Sequence, residues 1–136
     1  MISGVPTIVA DCLVRWAANT PTVQRMWLFG SRARGTHRID SDIDIAVEIT
    51  GWDSDDPDVR GEALADWIFN ADDWRHQLRG ITPLTIDLNP ISIEDGRVRP
   101  AVRRDGVLIF AQTEEGRRCA DRGRQHSTIC WHAGPT

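Results

Sequence analysis

The sequence has 136 residues, a net charge of -4 and a pI near 5.5, which suits one compact domain but not a protein that grips nucleic acid through its phosphates. All 16 basic residues are arginine and tyrosine is absent, which excludes a P-loop lysine, a Schiff base and a tyrosine acceptor on this chain. The N-terminal segment lacks the features of a signal peptide, and no apolar run approaches the roughly 20 residues of a membrane span. We therefore expect a cytoplasmic protein with no membrane segment and no direct nucleic-acid binding.

The first half of the chain predicts one long helix and two strands. Residues 8–18 place apolar side chains at helical spacing, with Thr7 as the expected N-cap, and residues 24–29 form a short apolar strand that stops at Gly30. Residues 30–41 are rich in glycine and arginine and indicate a turn that opens onto a short helix. Residues 42–49 (DIDIAVEI) alternate strictly, so one face of this strand is expected to be core and the other polar.

The second half predicts two further strands around a long helix. Asp56 and Pro57 favour a helix start, Gly80 a stop, and a break is expected near residues 70–73. Residues 84–88 and 107–110 are predicted strands, and Pro100 argues against an uninterrupted helix over 97–104. The expected fold is therefore α+β, a small mixed β-sheet flanked by helices over residues 1–111. Residues 112–136 are predicted to form a polar, loosely ordered tail.

Two short motifs carry the expected chemistry. The Gly30-Ser31 pair follows a strand and opens a short helix, whose free backbone N–H groups suit a phosphate. Arg32 and Arg34 add positive charge there, although either could be an ordinary surface arginine. Asp42 and Asp44 lie two residues apart on one strand face, about 7 Å apart at Cα, and can hold a hard cation such as Mg²⁺.

Asp87 is a third acid, on the polar face of a later predicted strand. If the two strands are neighbours, the three carboxylates can share a two-metal cluster that serves phosphoryl chemistry. An ordinary exposed position for Asp87 is the alternative.

The string GSRARG, followed five residues later by SDIDIAV, resembles the minimal nucleotidyltransferases (MNT proteins) of the DNA polymerase β superfamily. Their signature is Gly-Ser-x-Ala-Arg-Gly, a short gap, and Ser-Asp-x-Asp before apolar residues. WLFG before the motif, TIDL after it and the ending RRDGVLIF continue the likeness, which covers roughly residues 8–110. The resemblance implies a nucleotidyltransferase fold.

By this resemblance Asp42, Asp44 and Asp87 are the catalytic residues and metal ligands. Gly30, Ser31, Arg32, Arg34 and Ser41 are the nucleotide-binding residues. The expected cofactor is Mg²⁺, as two ions, with ATP as the substrate. Many relatives are antitoxins encoded beside a helical HEPN toxin, and some add AMP to a toxin tyrosine. The chain has little length left for an acceptor-binding domain, so we expect a HEPN-type partner to supply the acceptor.

Two other functions remain open from the sequence. A binding-only antitoxin would block its partner by contact and retain the motif without catalysis. An aminoglycoside-type nucleotidyltransferase would modify a small molecule, but its relatives carry further helical structure after the catalytic domain, where this sequence has only the polar tail.

Overall fold

A computed structural model describes residues 4–112, in which helices and strands alternate along the chain. The elements are α1 (Thr7–Ala18), β1 (Val23–Phe29), α2 (Ser31–Arg34), β2 (Ile43–Ile49), α3 (Pro57–Leu78), β3 (Ile86–Pro90), α4 (Val98–Asp105) and β4 (Val107–Ala111). The predicted tail lies outside the described residues, except for Gln112, whose backbone N–H still bonds Gln24 of β1 at 2.8 Å. None of the helices in residues 4–112 is long and apolar enough to cross a membrane.

The four strands form one mixed sheet in the order β3-β2-β1-β4. β1 is antiparallel to both β2 and β4, whereas β2 and β3 are parallel. A parallel pair needs a crossover connection, and α3 provides it by running back along the sheet between the end of β2 and the start of β3. The predicted mixed sheet with flanking helices is confirmed.

One face of the sheet is covered by α1 and α3. The apolar residues of β2 that alternate in the sequence all point to this side, and each is at most 2% exposed. They pack in one cluster with buried side chains of the two helices, which include Val9, Leu13, Ala17, Ala63, Trp67, Ala71, Trp74 and Leu78. Burial of these side chains on both helices fixes the orientation of β2, and with it the side to which its acids point.

The other face is partly covered by α4. Val98 and Val102 of this helix pack with Phe29, Ala46 and Ile91 in a second, smaller cluster. The polar face of β2 is therefore not open along its whole length, because Ala46 is buried in this cluster. Only the beginning of the strand remains at an accessible rim, and this is where Asp42 and Asp44 lie.

Several predicted bounds differ from the structure. α3 has no break near residues 70–73, since its inner residues Ala71 and Trp74 are buried in the core cluster and hold the helix there. β3 begins at Ile86 rather than residue 84. α4 is continuous despite Pro100, which lies in its first turn, where a helix needs no N–H donor. The predicted start of α3 is confirmed, since the Asp56 side chain accepts a bond from the Asp58 N–H at 2.9 Å.

Candidate active site

The rim of the sheet brings together three segments that are far apart in the sequence. Phe29, the last residue of β1, is the register partner of Asp44 on β2, and Asp44 is in turn the partner of Asp87 on β3. Gly30 follows Phe29 directly, so the turn after β1 lies beside the first acids of β2. A metal cluster shared by the three acids required the strand of Asp87 to lie next to that of Asp44. This condition is met, because β3 is the immediate neighbour of β2.

Gly30 is a position that only glycine fits. Its φ is +76°, a backbone conformation that disfavours any residue with a Cβ, and a Cβ placed there would lie 2.2 Å from Oδ2 of Asp44. Gly35, at the other end of α2, has almost the same φ of +77° but nothing within 4 Å of the corresponding position. The absence of a side chain at Gly30 is therefore what allows the turn to touch the Asp44 carboxylate.

Crowding of the acids disfavours the ionised form of Asp44. The pKa of its carboxyl group rises from 3.8 to about 6, first because of burial and then because of the negative charges of Asp87 and Asp42. The positive charge of Arg97 acts in the opposite direction. Crowded carboxylates of this kind are the donor set that a hard divalent cation such as Mg²⁺ prefers.

Asp42 is the outlying member of the three acids. It is exposed, directly before β2, and its charge acts on Asp44 from there. Among residues 4–112, no three histidine, cysteine or acidic side chains converge closely enough to form a metal site as they stand. Asp44 and Asp87 are thus already paired, whereas Asp42 would have to turn toward them, which an exposed side chain can do by changing its rotamer.

Glu48 shows what a structural acid on the same strand looks like. It is 5% exposed, and its two oxygens accept bonds from the indole N–H groups of Trp27 and Trp52 at 2.6 and 2.9 Å, and from Arg25 at 3.1 Å. Hydrogen bonds from donors within the chain therefore stabilise the charge of Glu48. Asp44 has another carboxyl as its neighbour instead, which distinguishes a site for a cation from a satisfied core acid.

The Arg32 side chain is buried, whereas a phosphate contact or an ordinary surface position was expected. It is 5% exposed, and its guanidinium donates to the backbone carbonyls of Gly4, Ile39 and Ser41 at 2.8 to 3.1 Å. A guanidinium that is buried and bonded in this way is not available to a phosphate. Its role is to hold α2 against the loop that leads to Asp42, and the expected phosphate contact is replaced by this structural one.

Arg34 and Ser41 are also held by partners within the chain. Arg34, at the end of α2, forms an ion pair with Asp105 at 3.3 Å, although its side chain remains 41% exposed. The pKa of Asp105 is lowered first by its hydrogen bond from Arg104 and also by that from Arg34. The Ser41 hydroxyl accepts a bond from the Arg38 N–H at 2.8 Å. Both residues lie close to the site and fix its surroundings.

Ser31 stands at the turn itself, as predicted. It is half-buried, and its carbonyl accepts a bond from the Thr36 N–H at 3.0 Å, which closes the turn around α2. The backbone N–H groups at the start of such a short helix have no partners within it. Together with Gly30, this turn could hold a phosphate beside Asp44.

Arg97 is a site residue that the sequence did not reveal. It is exposed, it donates to the Asn89 side chain at 3.3 Å, and its charge is the positive one that acts on Asp44. Asn89 follows Asp87 by two residues on β3, so both point to the same sheet face. The guanidinium therefore lies over the acid face, next to Asp44 and Asp87. No local pattern around residue 97 signals this, because the contact depends on how α4 folds back over the sheet.

Comparison with solved structures identifies similar folds. A chain of the toxin–antitoxin complex MntA–HepT is 20% identical, with a TM-score of 0.51 and 94% of each chain covered. A chain of a variant MntA–HpeT complex is 22% identical, with a TM-score of 0.50 and 90% of each chain covered. A chain from the complex of a tri-AMPylated Shewanella oneidensis HEPN toxin with MNT antitoxin is 20% identical, with a TM-score of 0.48 and coverage of 92% of this chain and 91% of that one. At these identities the likenesses with TM-scores of 0.51 and 0.50 show a shared fold and no more.

The sequence itself gives the family. No curated protein sequence matches the chain significantly. Residues 13–115, however, match the profile of the family described as polymerase beta nucleotidyltransferase, and this range contains the Gly30 turn and all three acids of the rim. Because the match extends over well more than half of the sequence, the chain belongs to the polymerase β nucleotidyltransferase family.

Proposed function

We propose that this chain transfers AMP from ATP to a hydroxyl group of a partner protein. The observation that carries the proposal is the rim itself, where the Gly30 turn touches Asp44, and Asp44 is crowded by Asp87 and Asp42. A turn with free N–H groups suits the phosphates, and adjacent carboxylates suit the cation that accompanies them.

Asp42, Asp44 and Asp87 would hold Mg²⁺, and we propose two ions. Bound there, Mg²⁺ supplies charge neutralisation for the triphosphate and lowers the pKa of an attacking hydroxyl group. The raised pKa of Asp44 supports this assignment: burial raises it most, and the repulsion from Asp87 and Asp42 that adds to this effect would be offset by a divalent cation.

The chain's own residues would position the nucleotide and accept a proton. Gly30 and Ser31 would bind the triphosphate through backbone N–H groups, and Arg97 would contact it from the α4 side. The acceptor oxygen bonds to the α-phosphorus as the bond to pyrophosphate breaks, and the hydroxyl proton passes to a carboxylate. Asp87 is the proposed acceptor of that proton, because it is exposed to an incoming group while Asp44 is not fully so.

We propose a HEPN-type helical toxin as the partner, with a tyrosine as the acceptor. The chain has no tyrosine of its own, so a tyrosine acceptor must belong to another molecule. The chain of similar fold from the MntA–HepT complex belongs to a toxin–antitoxin pair, which supports the same reading for this one. In such a pair the chain would act as the antitoxin, in the cytoplasm.

Label transfer from α-³²P-ATP tests this proposal directly. The chain would be incubated with Mg²⁺, ATP and the proposed HEPN-type partner. Wild type would run beside Asp42→Asn/Asp44→Asn and a matched control, Asp53→Asn/Asp55→Asn, which removes two exposed acids from the loop before α3. We expect label in the partner with wild type and the control, and none with the rim variant.

Each other result would point to a different function. Neutralisation of the partner by the rim variant as well as by wild type, without label, would replace the proposal with a binding-only antitoxin. Label in a small molecule alone would replace it with the aminoglycoside-type reaction.

A further inference from the structure

α3 carries apolar residues on two sides, although only one side faces the core. Its inner residues, including Trp67 and Trp74, are buried against the sheet. On its outer side Leu64, Ile68 and Phe69 are 56%, 67% and 88% exposed. Large apolar side chains that recur at helical spacing in solvent are typical of an interaction site rather than of scattered surface residues.

The outer apolar residues form two neighbouring ridges of the helix. Residues four apart lie one above the other, so Leu64 and Ile68 form one ridge, and Gly61, Ala65 and Phe69 form the next. We call these five residues the α3 surface. Gly61 and Ala65 are small and exposed, so the second ridge is low and leaves a groove into which the side chains of another helix could pack.

A ridge of acids borders this groove. Asp58, Glu62 and Asp66 are four residues apart and therefore flank the ridge of Gly61 and Ala65 along its length. The two arginines of α3 do not offset them there. Arg60 bonds the Ser54 carbonyl at 2.6 Å, and Arg75 lies over the Trp67 ring at 5.2 Å. A ligand of the α3 surface thus meets an apolar floor and a negative edge.

A cavity opens beside the same surface. It has a volume of about 450 Å³ and lies between the N-terminal half of α3, the end of β2 and the segment after β3. Gly61 and Leu64 belong to both the α3 surface and the cavity wall, whose other apolar lining includes Trp52, Trp67, Ile91 and Ile93. A cavity of this size next to an apolar groove can receive one large anchoring side chain of a bound partner.

We propose that the α3 surface docks an amphipathic helix of the partner protein, with its apolar face in the groove and arginine or lysine residues against the acid ridge. The proposal rests on the proposed function for the existence of a partner, and adds where that partner binds. A second copy of this chain fits poorly, because α3 brings Asp58, Glu62, Asp66, Asp72 and Asp73 to any such contact. Acids would then face acids in either orientation of the two helices.

This surface is remote from the acids of the rim. α3 runs back along the sheet, so its N-terminal half lies near the ends of β2 and β3, whereas Asp44 and Asp87 lie near their beginnings. α3 also covers the opposite sheet face from α4, which lies on the side of the acids. Docking and transfer should therefore be separable by mutation.

The test compares two substitutions of the same kind on different faces. Ile68→Asp places a charge in the groove, and Ile8→Asp is its control, because Ile8 is 74% exposed on α1. Glu62→Arg reverses one charge of the acid ridge, with Asp11→Arg on α1 as its control. Affinity for the proposed HEPN-type partner would be measured by calorimetry on the full chain, together with ATP affinity and thermal stability.

We expect Ile68→Asp and Glu62→Arg each to weaken the pairing at least tenfold, with ATP affinity unchanged and the controls close to wild type. Asp42→Asn/Asp44→Asn should behave oppositely, with pairing retained and transfer lost. If wild type pairs and Ile68→Asp does not, but neither transfers AMP, the docking surface stands and the proposed function falls.

Two results would overturn the docking surface. One is wild-type pairing by Ile68→Asp, with or without transfer. The other is a fall in the melting temperature, or loss of a homodimer, in Ile68→Asp alone but not in Ile8→Asp. The surface would then already be covered by residues 113–136 or by a second copy.

Discussion

Replacing Gly30 by alanine should slow transfer, because the new side chain displaces the Asp44 carboxyl. The new Cβ would lie 2.2 Å from Oδ2 of Asp44 and 3.0 Å from its Cγ, whereas ordinary contact begins at 3.4 Å. The Asp44 carboxyl must therefore move away by about 1 Å. A misplacement of that size at a reacting centre costs roughly 10²-fold in rate. We expect transfer by Gly30→Ala to fall by about this factor.

Gly35→Ala adds a Cβ at the other positive-φ glycine of this turn without touching Asp44. The two glycines share φ values of +76° and +77°, but their ψ values differ: -156° at Gly30, in a region that essentially only glycine adopts, and 14° at Gly35, in the left-handed helical region. Alanine should therefore cost roughly 1–2 kcal/mol at Gly35 and more at Gly30. For a domain of this size each kcal/mol lowers the melting temperature by about 5 °C. Only Gly30→Ala disturbs Asp44, because nothing lies within 4 Å of a Cβ at Gly35.

Thermal unfolding and the initial rate of label transfer would be measured for both variants at a temperature where each is folded. The expected result is a rate roughly 10²-fold lower for Gly30→Ala than for Gly35→Ala, with the larger loss of stability also in Gly30→Ala. Equal rates in the two variants would refute the reasoning, because they would mean that contact between the Gly30 turn and Asp44 plays no part in the reaction.

Three further outcomes follow from the same geometry. Arg97→Gln should raise the KM for ATP by about tenfold, the effect of losing a charged hydrogen bond, while the exposed Arg103→Gln should leave it unchanged. Asp44→Asn should stabilise the chain in EDTA above pH 6 by about 1 kcal/mol, after allowance for solvent screening. The reason is that the pKa of Asp44 is raised in the folded state, so ionisation of Asp44 weakens the fold as the pH rises through 6. Urea titrations between pH 4 and 8 would measure the free energy of unfolding of both proteins. The difference between the variant and wild type should vanish at the acid end. Asp95→Ala should cost about 1–2 kcal/mol, because its carboxylate accepts the N–H groups that begin α4. Burial alone would raise the pKa of Asp95, but these bonds lower it overall, so its advantage over alanine should persist until the pH falls below the ordinary range of an aspartate.

The strict alternation of residues 42–49 was enough to predict which side of β2 is core and which side carries acids. A single-residue shift would have placed Ile43 and Ile45 in solvent, so the pattern allows one orientation only. This local pattern does not determine the order of the strands in the sheet. The pairing of Asp44 with Asp87 could therefore be stated only as a condition, which the parallel pairing of β2 and β3 then met.

Arginines were the residues that the sequence could not assign. Arg32 and Arg34 stand two apart in one motif, yet one is buried against backbone carbonyls and the other pairs with Asp105 near the surface. Arg97 lies more than 50 residues beyond that motif, and its contact with Asn89 holds it on the face of the acids. In each case the role depends on tertiary contacts, which neither spacing nor composition encodes.

The hydrogen bonds from Arg32 to backbone carbonyls also affect which neighbouring residues can be substituted during evolution. Its guanidinium holds the segment before Asp42 by carbonyl oxygens, which every amino acid carries, and not by particular side chains. Residues 36 and 38–40 are exposed and can be substituted without loss of these bonds. The segment can thus acquire new contacts to an acceptor while Asp42 and Asp44 keep their positions. Acceptor specificity can therefore change without displacing these acids.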